Sequence, residues 1–233
     1  MTSGTLPGPP RRLVFLGPPA AGKGTQAAEL ARELGLAHLS TGDLLRAAVA
    51  EGSDLGRAAD DHMRAGRLVP DDLVLRILGE RLARPDATSG FILDGFPRTL
   101  AQAEALGRIT DLDAVVSFDV DPKLLVERMA GRRSCPKCGA VYHLTSNPPR
   151  EAGRCDRDGT GLIQRPDDRA EALEVRLRAY HDQTAPLREY YLRRGLLRSL
   201  DASGSPTEVA ARLRRLLAEP SGRPPDGRRP SKP

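Results

Sequence analysis

Gly17-Pro18-Pro19-Ala20-Ala21-Gly22-Lys23-Gly24-Thr25 follows directly on the apolar run Arg12-Leu13-Val14-Phe15-Leu16. After it comes helical spacing over residues 22–34 (Ala27, Leu30, Ala31, Leu34) that stops at Gly35. The loop has the form G-x-x-x-x-G-K, with Gly24-Thr25 after the lysine. Between a strand and a helix, that form suits a polyphosphate. Glycines let the backbone curl so that successive N–H groups point at anionic oxygens, and the helix adds its positive end. Lys23 is placed to bridge β- and γ-phosphates, and Thr25 to lie at a magnesium site.

Outward from this loop the pattern repeats. His38-Leu39-Ser40 reads as a short strand. So do residues 90–93, ending at Asp94, then Val115-Val116-Ser117-Phe118, ending at Asp119, and residues 196–200. Two or three helices fill 42–83, broken near Gly52 and residues 66–70. Others are predicted over 122–130, 169–194 and 206–217. Short apolar strands alternating with amphipathic helices predict an α/β fold: a doubly wound, mostly parallel five-stranded sheet with helices on both faces. Residues 131–168 break the rhythm. They are rich in Gly, Pro, Arg and Asp and hold every Cys, and read as a small inserted lid. The core is then 12–130 and 169–219, between a leader (1–11) and a basic tail (220–233).

The 233 residues are 39% hydrophobic but only 3% aromatic, without Trp, so the core must come from Leu, Val, Ile and Ala. The net charge of +5 is concentrated at the ends: residues 221–233 carry +3 and Arg11-Arg12 the remaining +2. The body nets zero, so charge does not imply a nucleic-acid-binding face. The Pro/Gly-rich ends have a disordered composition. No run approaches ~18 apolar residues, so no membrane helix is expected. The N-terminal MTSGTLPGPPRR lacks the apolar centre of a secretory signal, and a cytoplasmic location is expected.

Three further strings narrow the reading: Ser40-Thr41-Gly42-Asp43-Leu44-Leu45-Arg46, Leu93-Asp94-Gly95-Phe96-Pro97-Arg98-Thr99 with Gln102 downstream, and Gly131-Arg132-Arg133. With the phosphate loop, from about residue 12 to 217, the chain resembles the adenylate kinase family in its bacterial long-lid form. The resemblance implies Mg²⁺-dependent transfer of the terminal phosphate of ATP to AMP, giving two ADP, and a part in adenine nucleotide balance and AMP salvage. Physical chemistry agrees. Two anionic nucleotides meet end to end, so catalysis is positioning and charge neutralisation by converging arginines.

By resemblance, residues 40–69 form a monophosphate-binding segment. AMP would be held by Thr41, Arg46, the backbone of Arg67, Leu68 and Val69, by Gly95, Phe96, Pro97 and Arg98, and by Gln102 at the adenine edge. Lys23, Arg98, Arg132, Arg165 and Arg176 would act on the transferring phosphoryl group, Arg165 and Arg176 touching AMP as well. Asp94 would hold Mg²⁺ through water, assisted by Asp43. ATP would lie against Ala20, Ala21, Gly22, Lys23, Gly24, Thr25, Arg128, Arg132, Val141, Tyr142 and Gly204. A monomer is implied. The family usually has Gly at Ala20. A positive φ there would cost Ala about 1 kcal/mol or more, and a negative one almost nothing.

Cys135-Pro136-Lys137-Cys138 is a CxxC knuckle, and Cys155-Asp156-Arg157-Asp158 repeats its spacing with Asp in the last place. Two such knuckles pinch one tetrahedral Zn²⁺, structural because no coordination position stays open. The fourth ligand must be Asp158, Asp156 or His143, and spacing favours Asp158. His38, His62 and His181 read as ordinary surface or core residues. A UMP/CMP-type kinase and a zinc-ribbon nucleic-acid-binding protein are the competing readings. The scarcity of aromatics for base stacking counts against the latter.

Overall fold

The computed structural model describes residues 10–219; the leader, except for its last two residues, and the basic tail lie outside them. Five strands form one parallel sheet: β1 (Arg12–Leu16), β2 (Ala37–Ser40), β3 (Phe91–Asp94), β4 (Ala114–Asp119) and, last in sequence, Leu197–Asp201. The spatial order is β2-β3-β1-β4 and then that last strand, all pairs parallel. The predicted α/β sheet is therefore present, each strand within a residue or two of its expected bounds.

Alternation along β1 shows how the two layers arise. Val14 and Leu16 pack into one core cluster with Leu39, Leu93 and Val115. Leu13 and Phe15 pack into the other with Ile92, Val116 and Phe118. Successive side chains of a strand point to opposite faces, so a continuous apolar run serves both layers. Phe15 and Phe118 meet with ring centroids 5.0 Å apart. Each fully buried side chain of this size contributes about 1.5–3 kcal/mol.

Helices follow the strands: α1 (Lys23–Leu34), α2 (Thr41–Ala50), α3 (Asp54–Arg64), α4 (Asp71–Leu82), α5 (Leu100–Ile109) and α6 (Pro122–Gly131). Sequence reading gave no helix at α5. Its inward face is Gln102, Ala103, Ala105 and Leu106, too small and polar to stand out as a stripe, and Thr99 caps it by accepting from the Gln102 N–H. After α6 comes a two-stranded antiparallel ribbon, β5 (Arg132–Ser134) with β6 (Val141–His143), within the segment expected to form a lid. The single helix predicted over 169–194 is divided. It runs as α7 (Ala170–Ala179), a wide π turn over Tyr180–Thr184, and α8 (Leu187–Leu192). Pro186 supplies no N–H, and the Ala185 N–H reaches back to the Tyr180 carbonyl. The last sheet strand is β7 (Leu197–Asp201), followed by α9 (Pro206–Ala218), which opens on a capping box between Ser205 and Glu208.

Candidate active site

β1 lies between β3 and β4, so the strand order reverses beside it and a crevice opens at the strands' C-terminal ends. The loop after β1 enters that crevice. No side chain caps the first turn of α1, which leaves its N–H groups for an anion. Ala20 has φ 61°, and it is the one non-glycine with positive φ among the described residues. The question left by the sequence is thus answered on the strained side, at a cost of about 1 kcal/mol. Its methyl packs against the core cluster under the loop.

Lys23 curls back over the loop, its Nζ donating to the carbonyls of Gly17 (2.8 Å) and Pro18 (2.7 Å). Burial lowers its pKa to about 8; Asp94 opposes that, while Arg98, Arg176 and Arg132 reinforce it. Asp94 ends β3. The parallel register sets Ser40 beside it and brings His38 Nε2 to 3.7 Å from its carboxylate. Burial favours the neutral acid, yet His38 and the charges of Lys23 and Arg98 hold Asp94 below the usual carboxylate range. A Cβ on Gly24 would stand 3.0 Å from Asp94 Oδ2, so the second glycine of the Gly-Lys-Gly triplet admits this close approach.

Around this centre stand five arginines from separate elements. Arg46 sits on α2, Arg98 in the β3–α5 turn, Arg132 at the start of β5, Arg165 before a short turn at Pro166–Asp168, and Arg176 on α7. Carboxylates hold most of them. Arg132 grips Asp168, with Nε 2.8 Å from Oδ2. Arg176 pairs with Asp167 (2.7 Å) and Asp168 (3.4 Å). Arg46 pairs with Asp43, which also lies 3.7 Å from Arg165. Arg98 instead donates Nε to the Gly95 carbonyl at 2.8 Å. Burial lowers Arg165 and Arg176 to about 10, with neighbouring arginines adding to the effect. Groups held this uneasily gain from the arrival of anions.

The crevice is a cavity of about 2040 Å³, well beyond the 300–1,000 Å³ common for one small ligand. Along it lie Ala20 to Thr25 of the loop; Thr41, Arg46, Arg67, Leu68 and Val69 of the α2–α4 side; and Arg128, Val141, Tyr142 and Gly204 on the far side. Phe96 is not brought there: it is fully buried in the core. Pro97 borders a small adjoining cavity beneath Lys23 and Arg98. Gln102 is 2% exposed, its Nε2 donating to Asp71 (2.5 Å) and its Oε1 accepting from the Arg98 N–H (2.7 Å). Sequence reasoning missed Asp71, His38 and Gln26. Their partners lie far along the chain or across the sheet, and no motif marks them.

In the lid segment the two knuckles have one backbone form. The Gly139 N–H reaches the Cys135 carbonyl and the Gly159 N–H the Cys155 carbonyl, with φ 71° and 70° at the two glycines. Cys138 and Asp158 therefore occupy equivalent places. Ligand atoms of Cys135, Cys138, Cys155 and Asp158 all lie within 4.8 Å of one another. Sγ of Cys138 and Cys155 are 3.5 Å apart, as are Cys135 Sγ and the Asp158 oxygens. A tetrahedral zinc requires edges of about 3.8 Å and about 3.5 Å for these pairs, so the donor set fits such an ion. The competing ligands are turned away: Asp156 takes the Arg150 N–H, and His143 Nδ1 takes those of Thr145 and Ser146. Tyr142 borders the crevice while its hydroxyl stands 3.5 Å from Cys155 Sγ.

A sequence model of the adenylate kinase family matches residues 15–196. Proteins named adenylate kinase from Anaeromyxobacter sp. (strain Fw109-5) and Symbiobacterium thermophilum are each 49% identical to it, over 211 and 210 residues. These alignments cover 88% of this chain and 99% and 97% of the respective relatives. A third, from Moorella thermoacetica, is also 49% identical, over 88% of this chain and 97% of its own length. With a phosphate loop at a strand-order reversal, converging arginines and a match across nearly the whole described fold, the chain belongs to the adenylate kinase family.

Proposed function

We propose that the chain catalyses reversible transfer of the terminal phosphate of ATP to AMP, yielding two ADP. The observation that carries this is the convergence of Lys23 and five arginines on one cavity large enough for two nucleotides. The γ-phosphoryl passes in line from one phosphate oxygen to another, so the protein's work is to align and neutralise. Lys23 and the loop N–H groups hold the donor phosphates. Arg46, Arg98 and Thr41 hold the acceptor, and Arg132, Arg165 and Arg176 close on the group in transit. Thr25 and, through water, Asp94 would hold magnesium, which would supply charge neutralisation to the donor phosphates. Gln102 spends one N–H on Asp71 and one lone pair on the Arg98 N–H, so reading adenine would use its second N–H or lone pair, or an exchange of the Asp71 contact.

The lid, 131–168, closes over both nucleotides and excludes water. Its Cys135, Cys138, Cys155 and Asp158 hold a structural zinc. The donor set supports this, and so does the lid's meagre apolar cluster of Cys135, Ala140, Tyr142, Cys155 and Leu162. The working form is a cytoplasmic monomer; no helix among the described residues is long and apolar enough to cross a membrane. Neither the pyrimidine-kinase nor the nucleic-acid reading is favoured. The test is ATP and Mg²⁺ with AMP, UMP, CMP and GMP in parallel. Turnover with AMP alone is expected. Turnover with a pyrimidine monophosphate would reassign the acceptor, and none at all would overturn the enzyme.

A further inference from the structure

The loop between β7 and α9 has an unusual property for a surface connection. Each carbonyl from Asp201, the end of β7, to Gly204 receives a hydrogen bond from an arginine side chain. Arg212 donates to Asp201 and Ser203, both at 2.6 Å. Arg128 donates to Ala202 (3.0 Å) and Gly204 (3.1 Å). Beyond them Ser205 accepts the first bond of α9 itself, from the Val209 N–H at 3.1 Å, and Gln26 Nε2 on α1 reaches Pro206 at 2.9 Å. Loop carbonyls at a surface are ordinarily left to water. Here two guanidinium groups, from α6 and α9, take alternate carbonyls, and α1 contributes the last side-chain donor.

Arg212, like Gln26, is a member of this set that no motif singles out, and it alone takes two of the carbonyls without lining the cavity. It also pairs with the Asp201 carboxylate at 2.7 Å. Gly204, with φ 91°, lets the loop close on both side chains beneath it: a Cβ there would stand 2.5 Å from Glu208 Oε2 and 3.2 Å from Arg212 Nη2. The loop borders the cavity through Ala202, Gly204 and Pro206, on the side that carries Arg128. Gln26 ties the same loop to the helix that begins at the phosphate loop.

We infer that Arg212 is a positioning residue for the donor nucleotide, fixing the 201–204 backbone against which the donor base lies. The inference rests on placing the donor beside Arg128 and Gly204. A base edge is read by backbone groups only where their direction is fixed beforehand. An unclamped loop must be ordered at the moment of binding, which weakens affinity without touching the transfer step. Arg212 meets neither the reacting phosphates nor the acceptor side.

The experiment is steady-state kinetics of the full chain carrying Arg212→Ala, Arg212→Lys, Arg128→Ala or Arg214→Ala. Arg214 lies on the same helix and pairs with Glu29 and Glu33 instead of the loop, so it serves as the control. Arg212→Ala is expected to raise KM for ATP about five- to tenfold, with kcat and KM for AMP within about twofold. Arg212→Lys should fall between it and the parent, and Arg214→Ala should match the parent. If Arg212→Ala does not fold, Arg212→Lys alone decides, on the same split. An ATP KM unmoved by Arg212 variants but raised by Arg128→Ala would overturn the inference and leave the donor placement standing. If neither arginine moves it, the placement fails too. Equal rises in both KM values would make the role merely structural and would also overturn it.

Discussion

The phosphate loop stands on strands that are dry on both faces, with Leu13, Val14, Ile92, Val115 and Phe118 all at 0% exposure. The two knuckles of the proposed lid stand on four buried apolar residues, two of them cysteines of the candidate metal site. Both regions must hold a tight glycine turn still. The body does it with apolar area, so its loop can tolerate a strained Ala20. The proposed lid has no such reserve, and its turns would depend on a metal held by the ligand atoms gathered around one point. Rigidity drawn from packing is spread over the whole sheet. Rigidity drawn from coordination is local and can be withdrawn without unfolding the rest.

The largest expected break in this contrast is Phe118→Ala. Deleting a buried aromatic ring should cost about 3–5 kcal/mol and lower Tm strongly. Metal content should remain at parent level below the transition; early metal loss would mean that lid and body are one cooperative unit. Next, Arg98→Ala should lower kcat by about 10²–10³ with little change in Tm, because it removes one charged donor from the centre and no apolar packing. A kcat within tenfold of the parent would take Arg98 out of the transfer step. Cys155→Ser should abolish stoichiometric zinc and speed hydrogen exchange across 131–168, leaving the sheet protected. Uniformly faster exchange would erase the distinction between the two regions.

Smaller effects sharpen the body's side. Burial pushes the Lys23 pKa down to about 8, below the ordinary 10.5. A lowered lysine pKa means the unfolded chain binds more protons between about pH 8 and 10.5. That contribution therefore favours folding increasingly as pH rises through the window. Phosphates beside Lys23 restore its charge. ATP binding near pH 8.5 should take up a substantial fraction of a proton, measurable by calorimetry in buffers of different ionisation enthalpy. No uptake would mean that Lys23 is already fully charged. Ala20→Gly should raise stability by up to ~1 kcal/mol, about 2–4 °C in Tm, by relieving the left-handed conformation. An unchanged or lowered Tm would show that the methyl's packing outweighs the strain.

The phosphate loop, the five strands and the cysteine knuckles were legible because each is written in consecutive residues. The neighbour of Asp94 was not: His38 meets it through strand register, 56 positions away in the chain. Gln102 could be named as a candidate, but its bond to Asp71 follows from how α4 packs near α5. Helix α5 escaped notice because alanines make a faint stripe, and the break at Tyr180–Thr184 because the apolar spacing continues through it. The sign of φ at Ala20 depends on the closed loop around it, which no single residue encodes.

The carboxylates of Asp43, Asp167 and Asp168 have a consequence for how nucleotides enter. They act as counter-anions to Arg46, Arg132 and Arg176, offsetting the repulsion among the guanidinium groups. On the proposed function, nucleotide arrival would be an ion exchange, with phosphate displacing carboxylate on the same guanidinium groups. What such a site registers is the preference of guanidinium for one oxyanion over another. On that reading the site would favour polyphosphates over simpler anions, and the carboxylates would spare it the full repulsion of its six cations between turnovers.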